Sequence, residues 1–231
     1  MEHIVIGIEG LVGAGKTSIC RELVKILPNT ILLNGGNLYR AIVYAMMKSG
    51  ANLENLKSQA SNIDIKTMMD LFKIELKIEN NETNIYMDGV LLEEEKLQSK
   101  ESSIAVSEVG GRAKNEALFI FARNLIDSFK LKYNVIISGR SIMQIYPKTN
   151  YHFFITASID ERAKRKSIQY NGEVSIEELK EHIIKRDDLQ KQAGFYDLSD
   201  NTIRVDVTDC KTVEESTNKV LSYIKLPLEI I

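Results

Sequence analysis

Gly10-Leu11-Val12-Gly13-Ala14-Gly15-Lys16-Thr17 fits the pattern G-x-x-x-x-G-K-[ST], and its setting decides the fold. An apolar run, Ile4 to Ile8, precedes it, and a helical run, Ser18 to Leu27, follows it. Strand, glycine-rich turn and helix in that order build a phosphate-binding loop. The glycines let the backbone curl until successive N–H groups point at phosphate oxygens, and the positive end of the following helix reinforces them. Gly10, Gly13, Ala14, Gly15, Lys16, Thr17 and Ser18 are therefore the expected ATP-binding set. Lys16 has the reach to bridge the β- and γ-phosphates, and the Thr17 hydroxyl is placed to ligate the Mg²⁺ that accompanies ATP. The loop alone leaves open whether the nucleotide reacts with water, a protein or a small molecule.

Outward from the loop, β-branched apolar runs recur at Thr30 to Leu33, Asn134 to Ile137, Tyr151 to Ile155 and Thr202 to Val207. Most are too uniformly apolar for a half-exposed sheet, so with helical segments between them they predict an α/β fold, a parallel sheet covered on both faces in three layers. Ser158-x-x-Glu161, Ser175-x-x-Glu178 and Thr212-x-x-Glu215 each match the reciprocal capping box. They predict helices from Ile159 to about Tyr170, from Ile176 to about Ala193 with Gly194 as its stop, and from Val213 to about Ile224. Tyr170-Asn171-Gly172 is a turn between the first two. From Asn34 to about Gly111 the alternation breaks into two helical stretches and a hairpin pairing Ile74 to Ile78 with Asn84 to Met87 across Glu79-Asn80-Asn81-Glu82. This segment reads as an inserted substrate arm. Gly110-Gly111 closes it before helical periodicity resumes from Arg112 to Lys130.

The chain has 231 residues, 44% of them apolar, which is enough to fill one sizeable core. Its 30 basic and 32 acidic residues nearly cancel, so no global field draws it onto nucleic acid or an anionic membrane. No apolar run approaches the roughly 20 residues of a membrane span, and MEHIVIGIEG lacks the build of a signal peptide, so a cytoplasmic location is expected. Cys20 and Cys210 form no metal-spaced cluster and read as reduced structural thiols, while His3, His152 and His182 lie too far apart for a ligand set.

Leu32-Leu33-Asn34-Gly35-Gly36-Asn37-Leu38-Tyr39-Arg40-Ala41 resembles the segment after the second strand of bacterial cytidylate kinases. Met87-Asp88-Gly89, Ala105 to Val109, Gly139-Arg140, Phe154 to Ser158 with Glu161-Arg162-Ala163, Arg186-Asp187-Asp188 and Val205 to Thr208 resemble the same family in order and spacing. The resemblance runs to about residue 224. It implies a P-loop kinase fold with a five-stranded parallel sheet, the core in residues 1–33 and 108–231, a monophosphate-binding arm in 34–107 and a short helical lid at about 162–188. It implies acceptor binding by Tyr39, Arg40, Ser107, Arg140 and Ser141, with Arg162 on the ATP side and Lys16, Arg165 and Arg186 as the catalytic cations. Guanidinium groups closed over a transferring phosphoryl group stabilise its equatorial charge without covalent chemistry. The activity it implies is Mg·ATP-dependent phosphorylation of a nucleoside monophosphate, CMP or dCMP first, by a monomer whose partners are small-molecule nucleotides.

The pattern departs where base and sugar are read. Ser141 stands after Arg140 where the family has an acid, and Asn115 (or the nearby Lys114), Gln190 and Ala193 stand where the family has other charged contacts. Asn34-Gly35-Gly36 replaces an acidic and hydroxyl-bearing start of the arm, and Ser138 ends a strand where many P-loop proteins present a carboxylate to magnesium. Glu9 is the candidate to hold a magnesium-bound water instead. The departures keep two alternatives open: a kinase for another small acceptor, or a non-catalytic nucleotide-binding module. The chain has no N-K-x-D tetrad of the guanine-reading type.

Overall fold

The computed structural model describes residues 3–48, 69–70, 72–93, 97 and 116–225. Strand β1 (Val5–Gly10) is buried along its whole length. Val5 faces one apolar layer with Ile31, Leu33, Val135 and Ile137, whereas Ile6 and Ile8 face the other with Leu32, Ile136, Phe153 and Ile155. Neighbouring residues thus serve opposite cores, which is why the strands read as continuous apolar runs.

Parallel strands β2 (Thr30–Asn34), β6 (Asn134–Ser138), β1, β7 (Tyr151–Thr156) and β8 (Ile203–Asp206) follow one another in that order across the sheet. Helices α1 (Lys16–Ile26) and α7 (Val213–Leu221) cover one face, with Ile19, Leu23 and Val220 in its core. Helix α3 (Glu116–Lys130) and the short α4 (Ile142–Ile145) cover the other through Ile126 and Ile142. All five parallel strands end on the same side, and the register Ile8↔Ser138 and Gly10↔Ile155 aligns the ends of β1, β6 and β7. The crevice outside the carboxyl ends of such strands is where α/β sheets bind ligands.

The sheet is larger than expected. Strand β4 (Glu82–Met87) joins the edge of β2 at Leu32↔Glu82, and β3 (Ile74–Glu79) and β5 (Val90–Leu91) pair antiparallel with β4, giving eight strands. Asn81 O accepts from Leu32 N–H at 2.8 Å, and Thr83 Oγ1 donates to Leu32 O at 3.1 Å. The hairpin therefore continues the core sheet. Its turn is Asn80-Asn81, both at positive φ (51° and 61°), and Asp88-Gly89 makes a second such turn into β5. Helix α2 (Gly35–Lys48) follows β2, with Asn34 Oδ1 accepting from Asn37 N–H at 3.3 Å. The rest of the arm, Gly110-Gly111, Asn115 and the tail from residue 226 lie outside the described residues.

Helices α5 (Ile159–Gln169) and α6 (Ile176–Gln192) form the lid, and α7 ends at Leu221, short of the expected Ile224. Ser158, Ser175 and Thr212 cap as expected, each side-chain oxygen accepting from the N–H three residues on. The reciprocal half of the box is diverted in two of the three: Ser158 N–H donates to Thr208 Oγ1, and the Glu215 carboxylate takes Lys211 N–H. Gly194, at φ 75°, stops α6. Among the described residues no helix is long and apolar enough to cross a membrane.

Candidate active site

The phosphate loop leaves β1 at the centre of the crevice. Gly10 has φ 148°, and a Cβ there would lie 2.2 Å from Ile155 O, so the chain turns against the β7 backbone only because no side chain intervenes. Gly13 and Gly15 also sit at positive φ, and Gly15 precedes α1 with no side-chain cap. Helix α1 starts at Lys16, two residues before the expected start, so Lys16, Thr17 and Ser18 are its first turn and their N–H groups face the loop. Lys16 Nζ donates to Gly10 O at 2.9 Å and Leu11 O at 2.7 Å. Burial, with Arg140 and Arg186 nearby, brings its pKa down to about 7. Cys20, one turn on, is buried and its thiol is pushed up to about 12 by that burial.

Arg140 leaves the end of β6 beside the loop, its guanidinium 5.8 Å from the Phe195 ring centre. Burial and the nearby Arg186 lower its pKa, and burial and Arg186 also lower that of Lys166. Neither Arg140 nor Arg186 makes a hydrogen bond or ion pair among the described residues. Lys16, Arg140, Lys166 and Arg186 thus gather at the phosphate loop, with Asp187 and Glu9 the carboxylates near them, and an anion joining the group relieves the repulsion among the cations.

Arg162 and Arg165 differ from these. Arg165 donates to Ala14 O (3.2 Å), Val207 O (2.9 Å), Cys210 O (3.3 Å) and Glu161 Oε1 (3.0 Å). In this arrangement its donors are directed at oxygens of the loop wall and of Glu161. Arg162 is buried, donates to Val12 O at 3.2 Å and pairs with Asp187.

On the acceptor side, Arg40 Nη1 donates to Leu97 O at 3.2 Å. Tyr39 is carried on α2 with its side chain outside the description, and Ser107 lies outside the described residues. Ser141 adopts φ 54° and opens α4, its carbonyl accepting from Gln144 and Ile145 N–H. Glu9 does not serve as the expected water holder. It is buried, its Oε1 takes Ile142 N–H, and His152 Nε2 lies 3.4 Å away, which turns the carboxylate toward the base of α4.

Sequence reading assigned no role to Asp187 or Tyr196. Asp187 Oδ1 accepts from Val12 N–H at 3.2 Å and from the Tyr196 hydroxyl at 2.7 Å. The Arg186-Asp187-Asp188 motif was the one available signal, and it named the arginine.

The sequence model of the cytidylate kinase family matches residues 6–226. Cytidylate kinase of Clostridioides difficile strain 630 is 31% identical over 98% of this chain and all of its own, and that of Alkaliphilus oremlandii is 31% identical over 97% and 99%. The solved structure of TT1252 from Thermus thermophilus aligns over 96% of both chains at 13% identity and a TM-score of 0.49, too distant to bear on the fold or function. With that family's pattern spanning almost the whole sequence, the chain belongs to the cytidylate kinase family of nucleoside monophosphate kinases.

Proposed function

We propose that the protein transfers the γ-phosphoryl group of Mg·ATP to CMP or dCMP, in line, giving ADP and the nucleoside diphosphate. The reading rests on the convergence of Lys16, Arg140, Lys166 and Arg186 on the phosphate loop. Lys16 and the N–H groups of Gly13 to Ser18 hold the β- and γ-phosphates, and Thr17 ligates the magnesium that ATP brings. Arg186 stabilises charge on the equatorial oxygens, and Arg140 with Arg40 holds the acceptor phosphate, while residues 34–107 supply the acceptor side. Little covalent chemistry falls to the protein, so positioning and fixed charge carry the acceleration. The protein acts as a monomer on free nucleotides in the cytoplasm.

Ser141, Gln190 and Ala193 favour a second reading, in which the phosphate machinery is kept and the acceptor is another small phosphorylated or hydroxylated molecule. Losing a carboxylate that accepts from the cytosine amine removes about 1–3 kcal/mol of discrimination. ADP formation with CMP, dCMP, UMP, AMP and GMP, against a Lys16→Ala control, separates the two. A kcat/KM highest for CMP or dCMP supports the first reading. ATP binding with turnover on none of them supports the second.

A further inference from the structure

The lid does not stand apart from the loop it is expected to cover. Val12, in the middle of the phosphate loop, is 5% exposed, and its side chain packs in one apolar cluster with Ala163 of α5 and Leu179 and Ile183 of α6. Both of its backbone polar groups are taken by lid side chains: its N–H donates to Asp187 Oδ1 at 3.2 Å and its carbonyl accepts from Arg162 at 3.2 Å. Asp187 and Arg162 are themselves paired, so a single residue of the loop is gripped by an ion pair that spans the two lid helices. Gly13 continues the contact, a Cβ there meeting Arg162 Cβ at 3.4 Å and Lys166 Cγ at 3.5 Å.

We propose that Asp187 is a positioning residue that locks loop and lid into one rigid body, fixing its neighbour Arg186 over the γ-phosphate position before ATP arrives. The inference rests on the kinase reading for its catalytic consequence, and on packing and hydrogen bonds for the lock itself. Tyr196 completes the lock. Its hydroxyl lies 2.7 Å from both Asp187 Oδ1 and Gln190 Oε1, but a phenol has one hydrogen to give. The charged Asp187 is the stronger acceptor, so Gln190 turns its NH₂ toward the phenolic oxygen and presents its carbonyl oxygen outward. The Tyr196 ring is held edge-on by Phe154 at 5.4 Å, which fixes the hydroxyl's direction from the core sheet.

Two readouts test this, one of them independent of turnover. Amide hydrogen exchange is followed on peptides covering residues 10–18 and 176–192 in wild type, Tyr196→Phe, Asp187→Asn and Asp187→Glu. The lock predicts faster exchange in both segments together for Tyr196→Phe and Asp187→Asn, with partial recovery in Asp187→Glu. In turnover, Tyr196→Phe is expected to lower kcat about tenfold and Asp187→Asn about a hundredfold, with KM for ATP within about threefold of wild type. Should Asp187→Asn fail to fold, because Arg162 is left buried beside a neutral partner, Tyr196→Phe decides, since it leaves the ion pair in place. Faster exchange in 176–192 with 10–18 unchanged, or a rise in KM for ATP at constant kcat, overturns the proposal. Wild-type protein that phosphorylates no acceptor sinks the kinase reading, and the exchange data still decide the lock.

Discussion

Binding of ATP should draw in a proton, and the amount follows from Lys16. With its pKa near 7 in the free protein, Lys16 is about half charged at pH 7, roughly one-tenth charged at pH 8 and about nine-tenths charged at pH 6. A phosphate oxygen 4 Å away at an effective dielectric of 20 contributes about 4 kcal/mol, about three pKa units, enough to return the ammonium to its ordinary range. The uptake per ATP bound is then about 0.1 proton at pH 6, 0.5 at pH 7 and 0.9 at pH 8. Because the bound state holds more protons than the free one in this window, ATP affinity falls as pH rises above 7, toward tenfold per unit. The other groups facing Lys16 do not obscure this. Arg140, as a guanidinium, keeps its charge across this range, and the Cys20 thiol, pushed up to about 12, stays protonated. Titration calorimetry in buffers of different ionisation enthalpy measures the uptake, with Lys16→Met as the reference that cancels protons on the nucleotide. A wild-type uptake equal to that of Lys16→Met across pH 6 to 8 would refute the reasoning.

In the free protein the same lysine is charged in the unfolded chain and increasingly neutral in the folded one as pH rises above about 7. Stability in urea melts should therefore increase with pH from 7 toward the ordinary lysine value, and Lys16→Met should flatten that rise. Gly10→Ala places a Cβ 2.2 Å from Ile155 O and should cost more than about 3 kcal/mol of stability or prevent folding, seen as a lowered or absent thermal transition. Arg186→Ala should lower kcat about a hundredfold or more while calorimetry finds ATP affinity near wild type. Ser141→Asp restores an acid at a backbone position, φ 54°, that aspartate tolerates; it should raise the kcat/KM preference for CMP over UMP by roughly 5- to 150-fold.

The three-layer core was legible because burial on both faces writes itself into the strands: Ile4 to Ile8 is apolar at each position except Gly7, and no register error can hide in it. Helix starts were legible because a capping serine or threonine acts within three residues, as Ser158, Ser175 and Thr212 do. The attachment of the hairpin to β2 was not, since it depends on Thr83 and Asn81 meeting Leu32, partners some 50 residues away with no local signature. The loop lysine and threonine were read from spacing, and Arg140 and Arg186 from family positions. What separates Arg186 from Arg165 is which acceptors each finds: beside Glu161, one helical turn back, Arg165 meets the carbonyls of Ala14, Val207 and Cys210, and carbonyls are present in every sequence. Glu9 was not legible for the same reason: a carboxylate before the loop can face the phosphates or a neighbouring helix, and its Oε1 takes the N–H of Ile142 at the start of α4.

In the proposed function the gathered cations serve phosphoryl transfer to a cytidine monophosphate. Phosphorus NMR of the protein with Mg·ATP and CMP tests it most directly, by following the appearance of the diphosphate's β-phosphorus. ADP and CDP should accumulate in equal amounts, and neither with Lys16→Ala. ADP released without CDP, or no reaction despite saturating ATP binding, would contradict it.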